Sequence, residues 1–333
     1  MSKLTVAVTV VTYKSAELTV RCLESLLVER QHAKFDIRVF VVDNASGDYP
    51  TLERVIHERS WTAWVSLTLA PRNGGFGYGN NLAISQAMQQ CNPKYIYLLN
   101  PDTEARVGVT TALVDFLDDH PQVGIAGSSF ENLDGSDWPI AFRFPTMRSE
   151  MCQCLDIGIV SRLFRDSLVP RVMPKTAQPT DWVSGASMMV RSEVFAAVGG
   201  FDENYFLYFE ETDFSYRAKL AGYSTWYVPQ GIVMHVSGYS THVTSQDSER
   251  RRLPGYWFES RRRYFVLTQG LTAAKLIDIV ALASSAIGLI KRSLMGQRRR
   301  IVPYFIRDLW RYSILRRRNQ VVPIAATRLN FTR

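Results

Sequence analysis

The sequence predicts an α/β fold, a Rossmann-like mixed sheet flanked by helices, followed by a basic, mainly helical C-terminal extension. Three observations carry that expectation. Apolar, β-branched runs such as Leu4–Tyr13 lack alternating polarity, as strands buried on both faces of a parallel sheet do. Segments of helical periodicity separate these runs. Charge is segregated along the chain: residues 250–333 hold 19 Lys+Arg against 3 Asp+Glu, although the whole chain is only +8.

With 333 residues, 46% of them hydrophobic, the chain can bury a sizeable core and reads as globular. Two regions are expected, residues 1–249 and the basic residues 250–333. Cys22, Cys91, Cys152 and Cys154 have no paired zinc spacing, and Cys152-x-Cys154 reads as structural. No charged-apolar-small signal segment precedes the first strand, so a reduced, cytosolic compartment is expected.

The elements follow in order. After Leu4–Tyr13, Ser15 can cap a helix from Ala16 to about Val28, where Leu18, Cys22, Leu23, Leu26 and Leu27 recur at helical spacing. Phe35–Val42 is a second buried strand. It ends in the polar turn Asp43-Asn44-Ala45-Ser46-Gly47-Asp48, at the carboxyl end of a strand, where open α/β sheets place ligands. A strand at Val65–Leu69, the loop Arg72–Asn81 and a helix from about Leu82 to Gln90 repeat the pattern. Tyr95–Leu99 is a further strand, stopped by Pro101 in Asn100-Pro101-Asp102-Thr103. A helix near Val107–Asp119 and a strand at Val123–Gly127 come next, then an irregular, proline-containing middle from Glu131 to Pro179.

Several motifs carry chemistry. The loop Gly74-Gly75-Phe76-Gly77-Tyr78-Gly79 approaches a dinucleotide fingerprint, but counting from Gly75 the third glycine position is Asn80. Its glycines still permit close approach of backbone to a ligand, with Asn73 and Asn80 able to read a base or sugar. Asn100-Pro101-Asp102 looks like a paired-acid metal motif with its first acid replaced by Asn; a hard cation completes its shell from substrate phosphate and water, and a plain Asx turn has the same letters. His235 follows a turn containing Pro229 and is either a hydrogen-bonded core residue or a ligand. Glu210, Glu211 and Asp213 crowd three carboxylates into four positions, a cluster that suits chemistry as well as an acidic helix start.

Taken together, five ordered motifs, VVTYKS, VVDNASGD, NGGFGYGNN, LLNPDT and GGFDENYFLYFEETDFSYR with a later His, resemble the inverting family 2 glycosyltransferases of the A-type nucleotide-sugar fold. The resemblance covers about residues 5–240 and is to the bacterial rhamnosyltransferase-like branch in particular. It implies that residues 1–249 bind and act on a nucleotide sugar, dTDP- or UDP-linked, with Thr12, Tyr13, Asp43, Asn44, Asn73, Gly74, Gly75 and Asn80 forming the nucleoside pocket. Asp102, with Asn100 and His235, is implied to hold a Mg²⁺ or Mn²⁺ on the diphosphate. The base maps to Glu211, where the family usually has Asp, with Glu210 and Asp213 as the other candidates. Asp202 and Trp182 are implied to meet the acceptor or sugar, Trp182 with core packing as its alternative.

In the tail, a helix-like stretch around Tyr256–Thr268 precedes the apolar run Ile279–Ile290. The window Leu271–Ile290 has the length of a membrane span, but Lys275 and Asp278 interrupt it. An amphipathic helix on an anionic membrane surface, at the inner face of the cell membrane, is expected, or else a buried helical hairpin or homodimer contact. The resulting expectation is a transferase moving a sugar such as L-rhamnose to a polyprenyl-diphosphate-linked or polysaccharide acceptor. The other class consistent with these features is a non-catalytic nucleotide-sugar-binding or scaffold protein whose basic tail binds a partner or nucleic acid, the latter through Tyr256, Trp257, Tyr264, Phe265, Trp310 and Tyr312 among the basic residues.

Overall fold

The computed structural model describes residues 4–132, 137–155, 162–171, 173–235, 251–296, 302–317, 322 and 324. Its strands are β1 (Thr5–Thr12), β2 (Asp36–Asp43), β3 (Val65–Leu69), β4 (Tyr95–Leu99), β5 (Thr103–Ala105), β6 (Val123–Glu131), β7 (Asp137–Trp138), β8 (Ala141–Phe142), β9 (Gln178–Thr180), β10 (Trp182–Val183), β11 (Ser187–Arg191) and β12 (Ser224–His235). The helices are α1 (Ala16–His32), α2 (Tyr49–Glu58), α3 (Phe76–Cys91), α4 (Val109–Asp119), α5 (Met147–Leu155), α6 (Ser192–Val198), α7 (Glu210–Leu220), α8 (Gly255–Leu294) and α9 (Phe305–Tyr312).

Ten strands form one mixed sheet in the order β3-β2-β1-β4-β11-β6-β12-β5, with β7 added to β6 and β9 to β12, while β8 and β10 pair as a separate ribbon. β1 runs parallel to both β2 and β4, in register Thr12 to Asp43 and Thr9 to Leu98. Strand order reverses between β1 and β4, so their carboxyl ends open the crevice where such sheets take ligands. Val6, Val8 and Val10 of β1 are fully buried, as are Ile96 and Leu98 of β4, which explains the unbroken apolar runs.

Several elements differ from expectation. Helix α2 was not anticipated; it starts at a proline-containing turn and buries only Leu52 and Ile56. Ser15 stands at the N-cap of α1 without capping by its side chain; its hydroxyl lies 3.0 Å from Thr12 Oγ1. Helix α3 starts at Phe76, six residues ahead of the expected Leu82, and so takes in the glycine loop. The physical reason is close packing: a Cβ on Gly77 would sit 2.9 Å from Phe201 Cβ, and one on Gly79 would sit 2.6 Å from Val11 Cγ1. Pro229 makes no turn but lies inside β12, whose register with β6 shifts between Tyr227 and Ile232.

The tail folds back on the sheet domain. Gly270, at φ 81°, breaks α8 into two arms. Across that hairpin Arg261 Nη1 bonds Asp278 Oδ1 at 2.6 Å, while its Nε donates to Glu150 of α5 at 2.7 Å. Asp278, expected to interrupt an apolar surface, is thus buried inside the hairpin. The inner face of the tail is the buried hairpin of the two alternatives, and Tyr264 and Phe265 belong to its core rather than to a stacking surface. The run Arg298–Arg300 and the 249/250 boundary lie outside the described residues.

Candidate functional site

The site is built at the strand ends flanking the β1/β4 reversal. On the β2 side Asp43 is fully buried: Oδ1 accepts from the Ser46 N–H (2.9 Å) and hydroxyl (2.6 Å), and Oδ2 from the Tyr49 N–H (3.0 Å). Thr12 Oγ1 donates to Asp48 Oδ2 at 3.0 Å. Asn44 Nδ2 donates to Asn73 Oδ1 and to the Gly75 carbonyl, each at 3.0 Å, and its Oδ1 accepts from the Gly74 N–H at 3.3 Å. Asn80 accepts from Thr9 Oγ1 at 2.8 Å and donates to the Phe76 carbonyl at 3.1 Å. These side chains therefore tie three loops together and shape the wall of the crevice from behind. Tyr13 is the expected pocket residue whose side chain stands open, about half exposed.

Across the reversal, β4 ends at Leu99, and the N–H of the next residue, Asn100, donates to the Ala186 carbonyl at 3.0 Å. Antiparallel pairing of β12 with β5 sets His235 opposite Thr103, and this register delivers its Nε2 to 3.4 Å from Asp102 Oδ2. The imidazole packs against Phe130 and Trp138, with ring centroids 5.9 and 5.7 Å away. Neighbouring ligands on an octahedral Mg²⁺ lie about 3 Å apart, given bonds of 2.0–2.1 Å. The 3.4 Å separation of Asp102 and His235 would let both side chains hold one such ion. No group of three or more acidic, His or Cys side chains suited to a metal occurs among the described residues.

The acidic cluster occupies the first turn of α7, with the helix dipole behind it. Its three carboxylates are not equivalent. Asp213 bonds Arg217 Nε at 2.8 Å, and Arg217 is itself held by the carbonyls of Val198 (2.7 Å) and Gly200 (3.0 Å). Glu210 is buried and Glu211 half-buried, and Oε2 of each accepts no hydrogen bond among the described residues. Burial, and then the charge of Glu211, push the Glu210 carboxyl well above the ordinary value. Glu211 is raised as well, chiefly by burial, while N–H groups of its own backbone and of Gly185 pull it back.

Gly185 links the two halves of the site. Its N–H faces Glu211, and the next residue, Ala186, carries the carbonyl that takes the Asn100 N–H. The carboxylate pair and the Asn100–Asp102 turn therefore meet across the Ser184–Ala186 segment leading into β11. Nothing in the local letters around Gly185 signals this role. Two other expected residues are differently engaged. Trp182 donates from Nε1 to the Arg143 carbonyl at 2.9 Å and stacks on Phe142 at 4.3 Å. Asp202 is completely buried and bonds Arg263 Nε at 2.7 Å.

Comparison with known proteins places the chain in a family and a fold. The family model described as "Glycosyltransferase like family 2" matches residues 4–253. An N-acetylglucosaminyl-diphospho-decaprenol L-rhamnosyltransferase of Mycobacterium tuberculosis is 28% identical over 244 residues, covering 70% of this chain and 76% of that protein. The rhamnosyltransferase WbbL of Escherichia coli is 25% identical over 242 residues, covering 71% of this chain and 84% of its own length. Among solved structures, the mannosyltransferase PcManGT from Pyrobaculum calidifontis in complex with GDP-Man and Mn²⁺ superposes with a TM-score of 0.52 at 16% identity, over 88% of this chain and 75% of that one. GalNAc-T7 with UDP, GalNAc and Mn²⁺ gives 0.54 at 14% identity, over 92% of this chain and 56% of that one. Both share the fold.

Proposed function

Because the chain belongs to the glycosyltransferase-like family 2, we propose that it transfers a sugar, L-rhamnose, with inversion from a dTDP- or UDP-linked donor to a polyprenyl-diphosphate-linked or polysaccharide acceptor in cell-envelope glycan synthesis. The observation that carries this reading is the junction at Ser184–Ala186, where a carboxylate pair whose Oε2 atoms accept no hydrogen bond among the described residues approaches the turn that carries Asp102 beside His235. The names of the two relatives support the sugar, and that of the mycobacterial one supports the lipid-linked acceptor.

Glu211 is the general base in this reading. An acceptor hydroxyl loses its proton to the Glu211 carboxylate as its oxygen bonds the anomeric carbon, while the bond from that carbon to the diphosphate oxygen breaks and its electron pair leaves with the nucleoside diphosphate. A base strengthens as its pKa approaches the working pH, and burial moves Glu211 in that direction. Glu210, more deeply buried, keeps the pair electrostatically coupled, and Asp213 orients the helix through Arg217. Asp102 and His235 would hold a Mg²⁺ or Mn²⁺, which when bound supplies positive charge for the leaving diphosphate. Tyr13 lines the open side of the nucleoside pocket, whose shape Asp43, Asn44 and Asn73 maintain.

The test is transfer measured for Glu211→Gln and Asp102→Ala. Glu211→Gln is expected to lose about 10²–10⁴-fold in kcat, the range for a positioned proton acceptor. Wild-type turnover in both variants would reject the site.

The tail adds a place of action, the inner face of the cell membrane. Leu276, Ile279, Ile287 and Ile290 are at least half exposed along one face of the second arm of α8, opposite the buried Ile277, Asp278 and Ala281. Among the described residues α8 alone is long and apolar enough to cross a membrane by length and composition. Its Asp278 pairs inside the protein, which favours lying on the surface over spanning. Lys275, Arg307 and Arg311 are exposed to meet anionic headgroups. Ile279→Glu with Ile287→Glu is expected to abolish co-sedimentation with phosphatidylglycerol vesicles at low salt; unchanged co-sedimentation would remove this face from the assignment.

A further inference from the structure

We propose that Arg263, in the first arm of α8, is a positioning residue for the carboxylate pair, acting through Asp202 on the loop that ends at Glu210. The inference rests on the reading of Glu210 and Glu211 as the general-base pair. It starts from strain. Tyr208 and Phe209, the two residues before α7, both have φ of 70°. For bulky side chains this left-handed conformation costs about 1–3 kcal/mol each and persists only where surrounding structure enforces it.

The enforcement comes from two sides. On the sheet side the Phe206 carbonyl accepts from the Phe76 N–H at 3.2 Å, which ties the loop to the start of α3. The other holds come from the first arm of α8. Ser260 Oγ donates to the Leu207 carbonyl at 3.0 Å. Tyr256 packs on Phe206 and Tyr208, with centroids 5.2 and 6.1 Å away, and Tyr264 lies 5.5 Å from Phe209.

Asp202 is the centre of this clamp. Its Oδ1 accepts from the Asn204 N–H at 3.1 Å and Nδ2 at 2.7 Å, closing the loop on itself. Its Oδ2 accepts from Arg263 Nε at 2.7 Å, with Nη2 in ion-pair contact at 2.6 Å. Arg263 then reaches the Val322 carbonyl through Nη1 at 2.8 Å and lies over the Tyr205 ring, centroid 5.6 Å away. Asp202 and Arg263 are both buried, and the hydrogen bonds of Asp202 go to Asn204 and Arg263. Asp202, expected at the acceptor, is instead the anchor through which the C-terminal arm fixes where Glu210 and Glu211 point. A charge-assisted hydrogen bond from Nε, reinforced by the ion pair, sets position along a defined line, which apolar packing alone does not.

The experiment compares Arg263→Ala and Arg263→Lys with Glu210→Gln and Glu211→Gln in the full-length protein. It measures kcat, donor affinity, the pH dependence of kcat and the circular dichroism spectrum. Misplacing a reacting group by about 1 Å costs on the order of 10²-fold. Arg263→Ala is expected to lower kcat about 10–100-fold with donor affinity within about twofold and the spectrum unchanged, and to move the rising limb of the pH profile. Arg263→Lys, which keeps the charge but has one donor head in place of two, should recover part of that loss. A folded Arg263→Ala with wild-type kcat, or one whose kcat and donor affinity fall together with its melting temperature, overturns the proposal. Should Arg263→Ala not fold, Arg263→Lys is read by the same criteria. If both Gln variants turn over like wild type, the base assignment itself has failed, and the Arg263 results then bear on nothing catalytic.

Discussion

Replacing Arg261 by Met is expected to destabilise the protein by about 3–5 kcal/mol, the range for breaking a buried ion pair by removing one partner. The guanidinium and Asp278 are each only 2% exposed at their side chains and Glu150 is 11% exposed, so water cannot take over for the lost partner. Burial works against the Arg261 charge, but the Glu150 and Asp278 carboxylates outweigh it and hold the group above its ordinary value. Removing it strands two buried carboxylates. The exposed pair Arg54–Glu58, with side chains 62% and 59% exposed, gives the contrast: an i,i+4 surface pair contributes about 0.3–0.5 kcal/mol. Urea denaturation followed by circular dichroism measures both variants side by side, and with a slope of roughly 3 kcal/mol per molar or less the Arg261 midpoint should fall by about 1 M or more. The triple variant Arg261→Met, Glu150→Gln, Asp278→Asn should recover most of the loss, because the charges leave together and the amide introduced by Asp278→Asn still offers an acceptor to the Ile314 N–H, now 2.9 Å from Asp278 Oδ2. If Arg261→Met costs no more than Arg54→Ala, the hairpin is not held by a buried charge hub and the account of the tail is wrong.

Two further outcomes follow from the site. Glu210 has a folded-state pKa raised above its ordinary 4.5, so its stabilising contribution is complete below that value and is lost as pH rises through the folded pKa; Glu210→Gln should therefore melt above wild type at neutral pH, with the gap closing as pH falls towards 4.5, and a gap that is constant with pH would contradict the burial argument. Gly75→Ala should disrupt the loop far more than Gly47→Ala: both have positive φ, but a Cβ on Gly75 would stand 1.7 Å from the Phe206 carbonyl oxygen, whereas Gly47 has nothing within 4 Å and loses only about 1–2 kcal/mol of backbone preference. Equal melting temperatures for the two variants would refute the close approach.

What the letters disclosed divides by range. The buried strands β1, β2 and β4 were legible because burial on both faces writes itself into consecutive residues, and α1 because its buried Cys22, Leu23 and Leu26 repeat at helical spacing. Helix α2 was not, since its ten residues begin in a turn-rich cluster and bury only two side chains. The polar residues of the crevice posed a different problem. Asp43 and Asn44 occupy the right strand end and Asn80 the first turns of α3, yet whether an amide faces a ligand or a neighbouring loop depends on partners as far as 71 residues away. Asp102 and His235 came together through the resemblance to a family; the physical cause, the β12/β5 register, involves a strand of only three residues that no periodicity marks.

Tyr208 and Phe209 owe their strained backbone to residues equally far along the chain. Local preference alone would release both into ordinary backbone, and α7 would then begin elsewhere with its carboxylates turned away from Gly185. They stay because the aromatic lead-in Tyr205-Phe206-Leu207-Tyr208-Phe209 packs against Tyr256 and Tyr264 of α8. That same helix presents its apolar outer face one hairpin turn away, past Gly270. On the proposed reading the basic tail is not an appendage to a finished catalytic domain: its inner face packs on the loop that leads to the proposed base, and its exposed apolar outer face is the one proposed to meet lipid. If α8 meets the membrane as proposed, the loop before α7 and the lipid-facing helix are joined through one element, so an acceptor in the lipid layer and the carboxylate proposed to take its proton would share a common frame.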